Sequence, residues 1–598
     1  MRKPIQSSER LNSTDQFRAG LHRFRACALP VLIFFLSSAL ALSQAAYAPE
    51  AAGLESRLAA RFPSDGPATV VLVARDGNIL FSHGYGFADR EKQIPATPET
   101  QFRIGSVTKQ FTAAAILRLQ EEGKLSINDP LAKYFPDYPG GSKITLRQLL
   151  NHTSGLHDYT GHPDFFSRVT KPITPDDLVA WFQDDPPDFT PGSQFSYCNT
   201  GYVLLGQIVE KVSGLSRDKF LQEQFFGPLG MHDTGIWHNT NPPAHGAKGY
   251  SFVPKASGGK QLVPALDWDM SWAGGAGDIY STVDDLWHWT QALQGGRVLS
   301  VQSLRDMDTP ANVPKKDGIN FEYGMGLYQS DIGGLPTVGH NGGLNGFLSE
   351  VMWFPGQKAT VVVLSAEMPP PPGVTPAEIV PIAARAFLGP EMAAHDPKMD
   401  PTVNPKTYPD YVGRYDYKTG IQQVTTANGH LYAQLTGQDR FEIFPSGPDA
   451  FFFKIVEASM TFQRDKNGMV TAVVHHQNGV SFTAPKLSEK EMPELATDTL
   501  DAIAGKYDYG PGAILTVTRR GDQLYAQLTG QPEFPIFPKS DHEFYWRVVP
   551  ASVEFVRGAD GKITSAIHHQ NGISFTAPKL PADKRANESG NAAGDSLH

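Results

Sequence analysis

Ala68-Thr-Val-Val-Leu-Val-Ala74 is an apolar run, and it is followed by Asp76-Gly77 and then by Ile79-Leu-Phe81. This pattern predicts two strands joined by a hairpin turn. A matching pair, Leu348 to Phe354 and Ala359 to Leu364, flanks Pro355-Gly356, and a helical run from Ala377 to Phe387 comes next. Between the two pairs the chain is rich in helical patterns, among them the alanine-rich stretch Phe111 to Gln120. Strands contributed from both ends of this region predict one antiparallel sheet assembled from distant parts of the chain and covered by helices, an α/β (α+β) domain over residues 50–390.

After Ala393 the pattern changes. Residues 391–409 are proline-rich and polar and read as a linker. Beyond it the chain repeats itself. Leu431-Tyr-Ala-Gln-Leu-Thr-Gly-Gln438 returns at Leu524 to Gln531, and His475-His-Gln-Asn-Gly479 returns at His568 to Gly572, each displaced by 93 positions. Both copies end in Ser-Phe-Thr-Ala-Pro-Lys-Leu, are dense in Tyr, Phe, Val and Asn-Gly turns, and lack a long helical period. Two small antiparallel β-barrels are therefore expected over 410–487 and 502–580, joined by a linker over 488–501 and followed by a polar tail over 581–598.

With 598 residues, 40% apolar and 19% charged, the chain has ordinary globular composition and exceeds a single core. Six Lys or Arg against two acids fill the first 25 residues, and the 17 residues Ala26 to Leu42 are uncharged and end near small residues. Residues 1–45 thus read as an export signal, with an uncleaved anchor over 26–42 as the alternative. Removing them takes the net charge from −10 to −14, since six basic and two acidic side chains leave. An acidic mature chain offers no electrostatic footprint for nucleic acid. Only Cys198 would remain besides the signal-region Cys27, so no intramolecular disulfide is expected, and no Cys/His spacing for zinc is present. The repeated His-His pairs read as strand and turn, because neighbouring side chains on a strand face opposite ways.

Three short motifs carry chemistry. Ser106-Val-Thr-Lys109 follows Arg103-Ile-Gly105 and opens the alanine-rich helix. A serine there is exposed to a substrate, its N–H points outward to a developing oxyanion, and the lysine lies one turn along the same face. Ser216-Arg-Asp-Lys219 and Ser257-Gly-Gly-Lys260 have the same spacing but begin a surface helix and a glycine-rich loop. Tyr197-Cys198-Asn199 is the one Tyr-x-Asn triplet. A tyrosine near a lysine ammonium can be held as phenolate or share its proton, and an asparagine amide can hold a substrate carbonyl. Cys198 between them reads as a packing residue. His340-Asn341-Gly342 is the one His-x-Gly triplet. Lys418-Thr419-Gly420 resembles a lysine form of it but sits at a hairpin turn of the first repeat.

With these residues in place, the chain resembles the serine β-lactamase and penicillin-binding protein superfamily, specifically its class C β-lactamase-like branch, over Ser56 to Leu388. The motif Ile144-Thr-Leu-Arg-Gln-Leu-Leu-Asn-His-Thr-Ser-Gly-Leu156, with Phe226 to Met231 and Ala273 to Asp278, adds to the likeness. The resemblance implies an acyl-enzyme mechanism without cofactor or metal: Ser106 as nucleophile, Lys109 and Tyr197 sharing the proton, and Ser106 and Gly343 N–H groups as oxyanion hole. Asn199, His340, Asn341 and Gly342 would contact substrate. Class C lactamases usually carry Lys-Thr-Gly where His340-Asn-Gly stands, whereas His-x-Gly is known among D-peptidases and esterases of the family. The expected substrates are accordingly small amides, D-amino-acid-containing short peptides or esters, with a slowly turning over penicillin-binding or sensory module, or a β-lactamase, as alternatives. The terminal repeats resemble lipocalin-like barrels appended to several family members, among them a bacterial D-aminopeptidase. Oligomeric state is left open.

Overall fold

The computed structural model describes residues 47–581 except 255–259, 315–321, 372, 395, 418–419, 437, 439, 455–457, 478–479, 489–491, 511–512, 530–532, 548–550 and 571–572. The expected export signal 1–45 with Cys27, the alternative anchor 26–42, Ser257, Lys418, Thr419 and the tail beyond 581 lie outside the described residues. Among the described residues, no helix is long and apolar enough to cross a membrane.

The elements that position the site are, in chain order, helix α1 (Ala48–Ala59), strands β1 (Thr69–Arg75) and β2 (Asn78–Tyr85), and helices α2 (Thr108–Glu121), α3 (Asn199–Ser213) and α4 (Val283–Gln294). They are followed by strands β3 (Glu322–Tyr323), β4 (Tyr328–Ile332), β5 (Leu335–Leu344), β6 (Phe347–Phe354) and β7 (Ala359–Ser365), and by helix α5 (Pro376–Ala393). The sheet runs β3-β4-β5-β6-β7-β1-β2, antiparallel throughout, with Val70 opposite Leu364 and Val71 opposite Val363. The first and last segments of the domain are thus neighbours in the sheet, as the hydrophobic pattern predicts. Asp76 and Gly77 take φ of 50° and 78°, the left-handed pair that a tight two-residue hairpin demands.

Both faces of this sheet are covered. Val70, Leu72 and Ala74 join the core under α2 and α4, while Val71 and Val73 join a second core under α1 and α5. A strand buried on both sides cannot alternate with polar residues, which explains the unbroken apolar run. Helix α2 is buried nearly end to end, and Ala113, Ala114 and Ala115 are fully shielded. Small side chains here and at Gly206 and Gly275 permit close packing of α3 and the 274–276 turn. A Cβ on Gly275 would fall 2.5 Å from the Tyr202 carbonyl oxygen.

Eight strands from Gly413–Asp416 to Val480–Leu487 close into a barrel, and a second set of eight runs from Gly505–Asp508 to Ile573–Pro578. Both expected linkers end in structure. Tyr408 and Tyr411, on the helix Tyr408–Tyr411, are buried in the first barrel, and Leu500 and Ile503, on Thr497–Ile503, in the second. The polar, proline-marked stretches therefore carry a short apolar face that packs into each barrel. The paired histidines do face opposite ways: His475 Nδ1 is 3.1 Å from the Tyr417 hydroxyl, whereas His476 bonds Ser481. The second copy repeats this with His568 on Tyr509 and His569 on Ser574. Ile421, Met492 and Phe537 are buried together between the barrels, where Arg547 stacks on Phe537 and pairs with Asp416.

Candidate active site

Ser106 sits in a single 3₁₀ turn, Gly105–Val107, that runs directly into α2. Gly105 has φ +52°, and a Cβ there would lie 3.0 Å from the Gly343 nitrogen, so a glycine is required for β5 to approach the serine turn. One turn along α2, Lys109 is 0% exposed. Its Nζ lies 2.9 Å from each of three oxygens: Ser106 Oγ, Asn199 Oδ1 and the Ala276 carbonyl. Burial pulls the Lys109 ammonium down to about 7, against the opposing influence of Asp158 and Cys198.

The three partners decide what the neutral amine does. Asn199 Oδ1 and the Ala276 carbonyl can only accept, so they take the two N–H groups and leave the lone pair for the Ser106 hydroxyl proton. The Asn199 orientation is set in turn by Asp158, whose Oδ2 accepts from Asn199 Nδ2 at 2.9 Å and from its backbone N–H at 3.2 Å. Asn199 is expected to contact substrate. Its amide is engaged at both ends inside the protein, and one N–H is left to meet a substrate.

The Tyr197 hydroxyl is also buried, without a hydrogen-bond partner among the described residues, and Ser106 is the neighbour that acts on its acidity. Burial pushes its pKa well above the usual phenol range, outweighing the pull of Ser106. Of the two expected states, phenolate or shared proton, the buried hydroxyl favours the second, since burial holds the proton on the phenol. Lys109 Nζ lies 4.8 Å from the centre of that ring. Behind it, His152 packs at 4.3 Å from Tyr197 and accepts the Cys198 N–H through Nδ1 at 3.1 Å. Burial holds His152 well below the ordinary histidine range, hence neutral. Cys198 itself is buried, its thiol pushed up to about 12 by burial, which fits a packing residue.

On β5, His340 and Gly342 face inward, while Asn341 and Gly343 are exposed on the other face. A Cβ on Gly342 would meet the Ile104 carbonyl oxygen at 2.0 Å, so this glycine allows the strand to close on the serine turn. His340, expected to contact substrate, has both ring nitrogens on protein partners. It is 1% exposed, its Nδ1 donates to the Asn341 carbonyl at 2.5 Å, and its Nε2 accepts from the Tyr323 hydroxyl at 2.9 Å. Burial drives its pKa down to about 3, so it is an uncharged imidazole with both nitrogens engaged. Beneath it the Tyr328 hydroxyl donates to Glu350 at 2.6 Å, and burial lifts that carboxyl to about 7.

Ser106, Lys109, Tyr197, Asn199, His340, Gly342 and Gly343 are thus brought to one place. Three contributors were not singled out from sequence: Asp158, His152 and Tyr323. His152 lies within the Ile144 to Leu156 motif, which was the available signal, while Asp158 and Tyr323 belong to no motif. Ser216 instead caps the helix Arg217–Leu221 by accepting from the Lys219 N–H.

A serine at the head of a buried helix, with a buried lysine on its hydroxyl and a tyrosine alongside, defines a site of the serine-hydrolase type, on a helix-covered antiparallel sheet. The chain belongs to the Beta-lactamase family, whose model matches residues 56–384, and a Domain of unknown function (DUF3471) matches twice, over 397–492 and 489–581. Penicillin-binding protein 4* of Bacillus subtilis (strain 168) is 31% identical over 415 residues, covering 66% of this chain and 89% of that protein. An octameric penicillin-binding protein homologue from Pyrococcus abyssi superposes with a TM-score of 0.52 at 27% identity, covering 73% of this chain and 98% of its own. D-amino acid amidase from Ochrobactrum anthropi SV3 does so with a TM-score of 0.50 at 25% identity, covering 58% and 99%.

Proposed function

We propose that this chain is an exported serine hydrolase that cleaves small amides, D-amino-acid-containing peptides or esters through an acyl-enzyme. The observation that carries the reading is the 2.9 Å contact between Ser106 Oγ and a fully buried Lys109 held near neutrality. In the proposed reaction the Lys109 lone pair takes the Ser106 proton as Oγ bonds the substrate carbonyl carbon. The resulting oxyanion is received by the Ser106 and Gly343 N–H groups. The proton then passes to the leaving amine or alkoxide, with the Tyr197 phenol as the adjacent relay, and the C–N or C–O bond breaks. Water enters, gives its proton to the same base and releases the acid, restoring the Ser106 hydroxyl.

An amide or ester substrate is favoured over a β-lactam by the third motif. Where a lysine ammonium would grip a ring carboxylate, His340 is neutral and enclosed. The likeness to D-amino acid amidase supports amides of D-amino acids among the substrates. The 31% identity to penicillin-binding protein 4* supports a second reading, a module that is acylated and barely turns over. Purified wild type and Ser106→Ala compared on D-alanine p-nitroanilide and p-nitrophenyl butyrate separate these. Ser106-dependent release from the anilide fits a D-aminopeptidase, and release from the ester alone fits an esterase. Stoichiometric labelling by penicillin without turnover fits the binding module. Equal turnover by Ser106→Ala removes the mechanism altogether.

A further inference from the structure

Asp158 stands outside the three motifs and accepts four hydrogen bonds. Its Oδ2 takes the Asn199 side-chain N–H at 2.9 Å and the Asn199 backbone N–H at 3.2 Å. Its Oδ1 takes the Thr160 N–H at 3.0 Å and the Thr160 hydroxyl at 2.9 Å. Capping alone accounts for part of this set. Asp158 precedes the 3₁₀ turn Tyr159–Gly161, and α3 begins after Cys198, which supplies no side-chain cap, so the carboxylate meets the first N–H of that helix in its stead. The Tyr159 N–H donates to Thr200 Oγ1 at 3.0 Å, and Thr200 Oγ1 donates to the His157 carbonyl at 2.6 Å, which pins the turn on α3.

Capping does not need the bond from Asn199 Nδ2. That bond decides which way round the Asn199 amide lies. Turned over, the amide would set its Oδ1 against the Asp158 carboxylate, acceptor against acceptor, and its Nδ2 against Lys109. An N–H aimed at the neutral amine would occupy its single lone pair, and the Ser106 hydroxyl would lose its acceptor.

We infer that Asp158 is the positioning residue of the acid–base unit: by locking the Asn199 amide one way round, it reserves the Lys109 lone pair for the Ser106 hydroxyl. This rests on the hydrolase reading above. The charge of Asp158 acts at the same place, since burial pulls Lys109 down and Asp158 pulls it back up. Tyr197, Tyr202, Cys198, His152 and His340 also face the amine, and burial keeps each of them uncharged near neutrality. Asp158 is the anion of the set.

Asp158→Asn removes the charge and brings an amide that can donate, so the Asn199 amide is free to turn. On the anilide or ester, kcat/KM should fall by up to roughly 10²-fold, and the acid limb should move below its wild-type position at about 7. Urea unfolding of Lys109→Met against its parent reads the same amine without substrate. In the Asp158→Asn background the parent's gain in stability should begin at lower pH, because a folded-state pKa moved further down starts the rise earlier. Neutron diffraction from wild-type crystals at alkaline pH should show an Asn199 deuteron on Asp158 and none towards Lys109. The inference is overturned by an unchanged rate, by a slower rate with the limb and the unfolding onset both unmoved, which would reduce Asp158 to a helix cap, or by an Asn199 deuteron aimed at Lys109. Should Asp158→Asn fail to fold, the neutron structure of the wild type still decides. Equal turnover by Ser106→Ala would sink the hydrolase reading, whereas the unfolding and neutron readouts use no substrate and decide on Asp158 by themselves.

Discussion

Replacing Lys109 by Met should change how stability depends on pH, and the change can be worked out from the site. A lysine free in the unfolded chain binds its proton up to 10.5, whereas in the folded protein burial brings it to about 7. Between those values the unfolded state holds the extra proton, so stability rises with pH. The penalty for burying Lys109 is complete below pH 7 and is relieved as the pH climbs towards 10.5. That penalty is about 4 kcal/mol at pH 7 and about 2 kcal/mol at pH 9. In Lys109→Met the lost bonds to Asn199 and Ala276 subtract a constant amount, since carbonyl acceptors do not titrate. The neighbours do not confuse the reading: His340 and His152 are neutral above pH 6, and Tyr197 and Cys198 stay protonated to pH 9. Wild type should therefore gain about 2 kcal/mol on Lys109→Met between pH 7 and 9 and almost nothing between pH 5 and 6.5. Urea unfolding followed by tryptophan emission reports on the right domain, because seven of the eight tryptophans, all but Trp546, precede residue 391. A stability difference that is flat from pH 7 to 9, or that falls, would refute the buried neutral amine and with it the proposed base.

Three further outcomes follow from the same geometry. Tyr197→Phe should lower kcat/KM roughly 10²- to 10⁴-fold while leaving the acid limb near pH 7 in place, because that limb belongs to Lys109; disappearance of the limb in a pH–rate profile would assign it to the phenol instead. Gly342→Ala forces a Cβ to 2.0 Å from the Ile104 carbonyl oxygen and 2.5 Å from Ser349 Oγ, and should cost roughly 1–3 kcal/mol in chemical denaturation together with slower acylation, as β5 is pushed off the serine turn. Tyr323→Phe takes the donor from His340 Nε2 and should destabilise by about 1–3 kcal/mol; an unchanged unfolding curve would show that the imidazole finds another partner at no loss.

Much of the architecture was legible because it rests on local pattern. The Asp76-Gly77 turn, the doubly buried strand Thr69–Arg75 and the alanine-rich α2 each announce themselves through side-chain type and period, and the two barrels through literal repetition. The linkers were less legible. Tyr408, Tyr411, Leu500 and Ile503 occur in stretches whose prolines and polar residues dominate the composition, and a helix of four to seven residues carries too few apolar positions to show a period.

The site divides along a different line. Ser106, Lys109, Tyr197, Asn199 and His340 could be singled out because each stands in a short motif, but their charge states could not, since these depend on enclosure by distant segments. Tyr197 as a phenolate is a reasonable expectation for a phenol beside an ammonium. Burial works against it twice, raising the phenol itself and bringing Lys109 down to about 7, so that above this pH the neighbouring amine is mostly neutral. The same reasoning separates His340 from the lysine it replaces. A lysine at that place on β5 could extend a charge towards the cleft, whereas an imidazole tied between the Asn341 carbonyl and Tyr323 has neither charge nor a free N–H to offer. In the proposed reaction, the groups of this strand left to meet substrate are the exposed Asn341 side chain and the Gly343 N–H. A neutral acyl group is better matched to such a surface than a carboxylate.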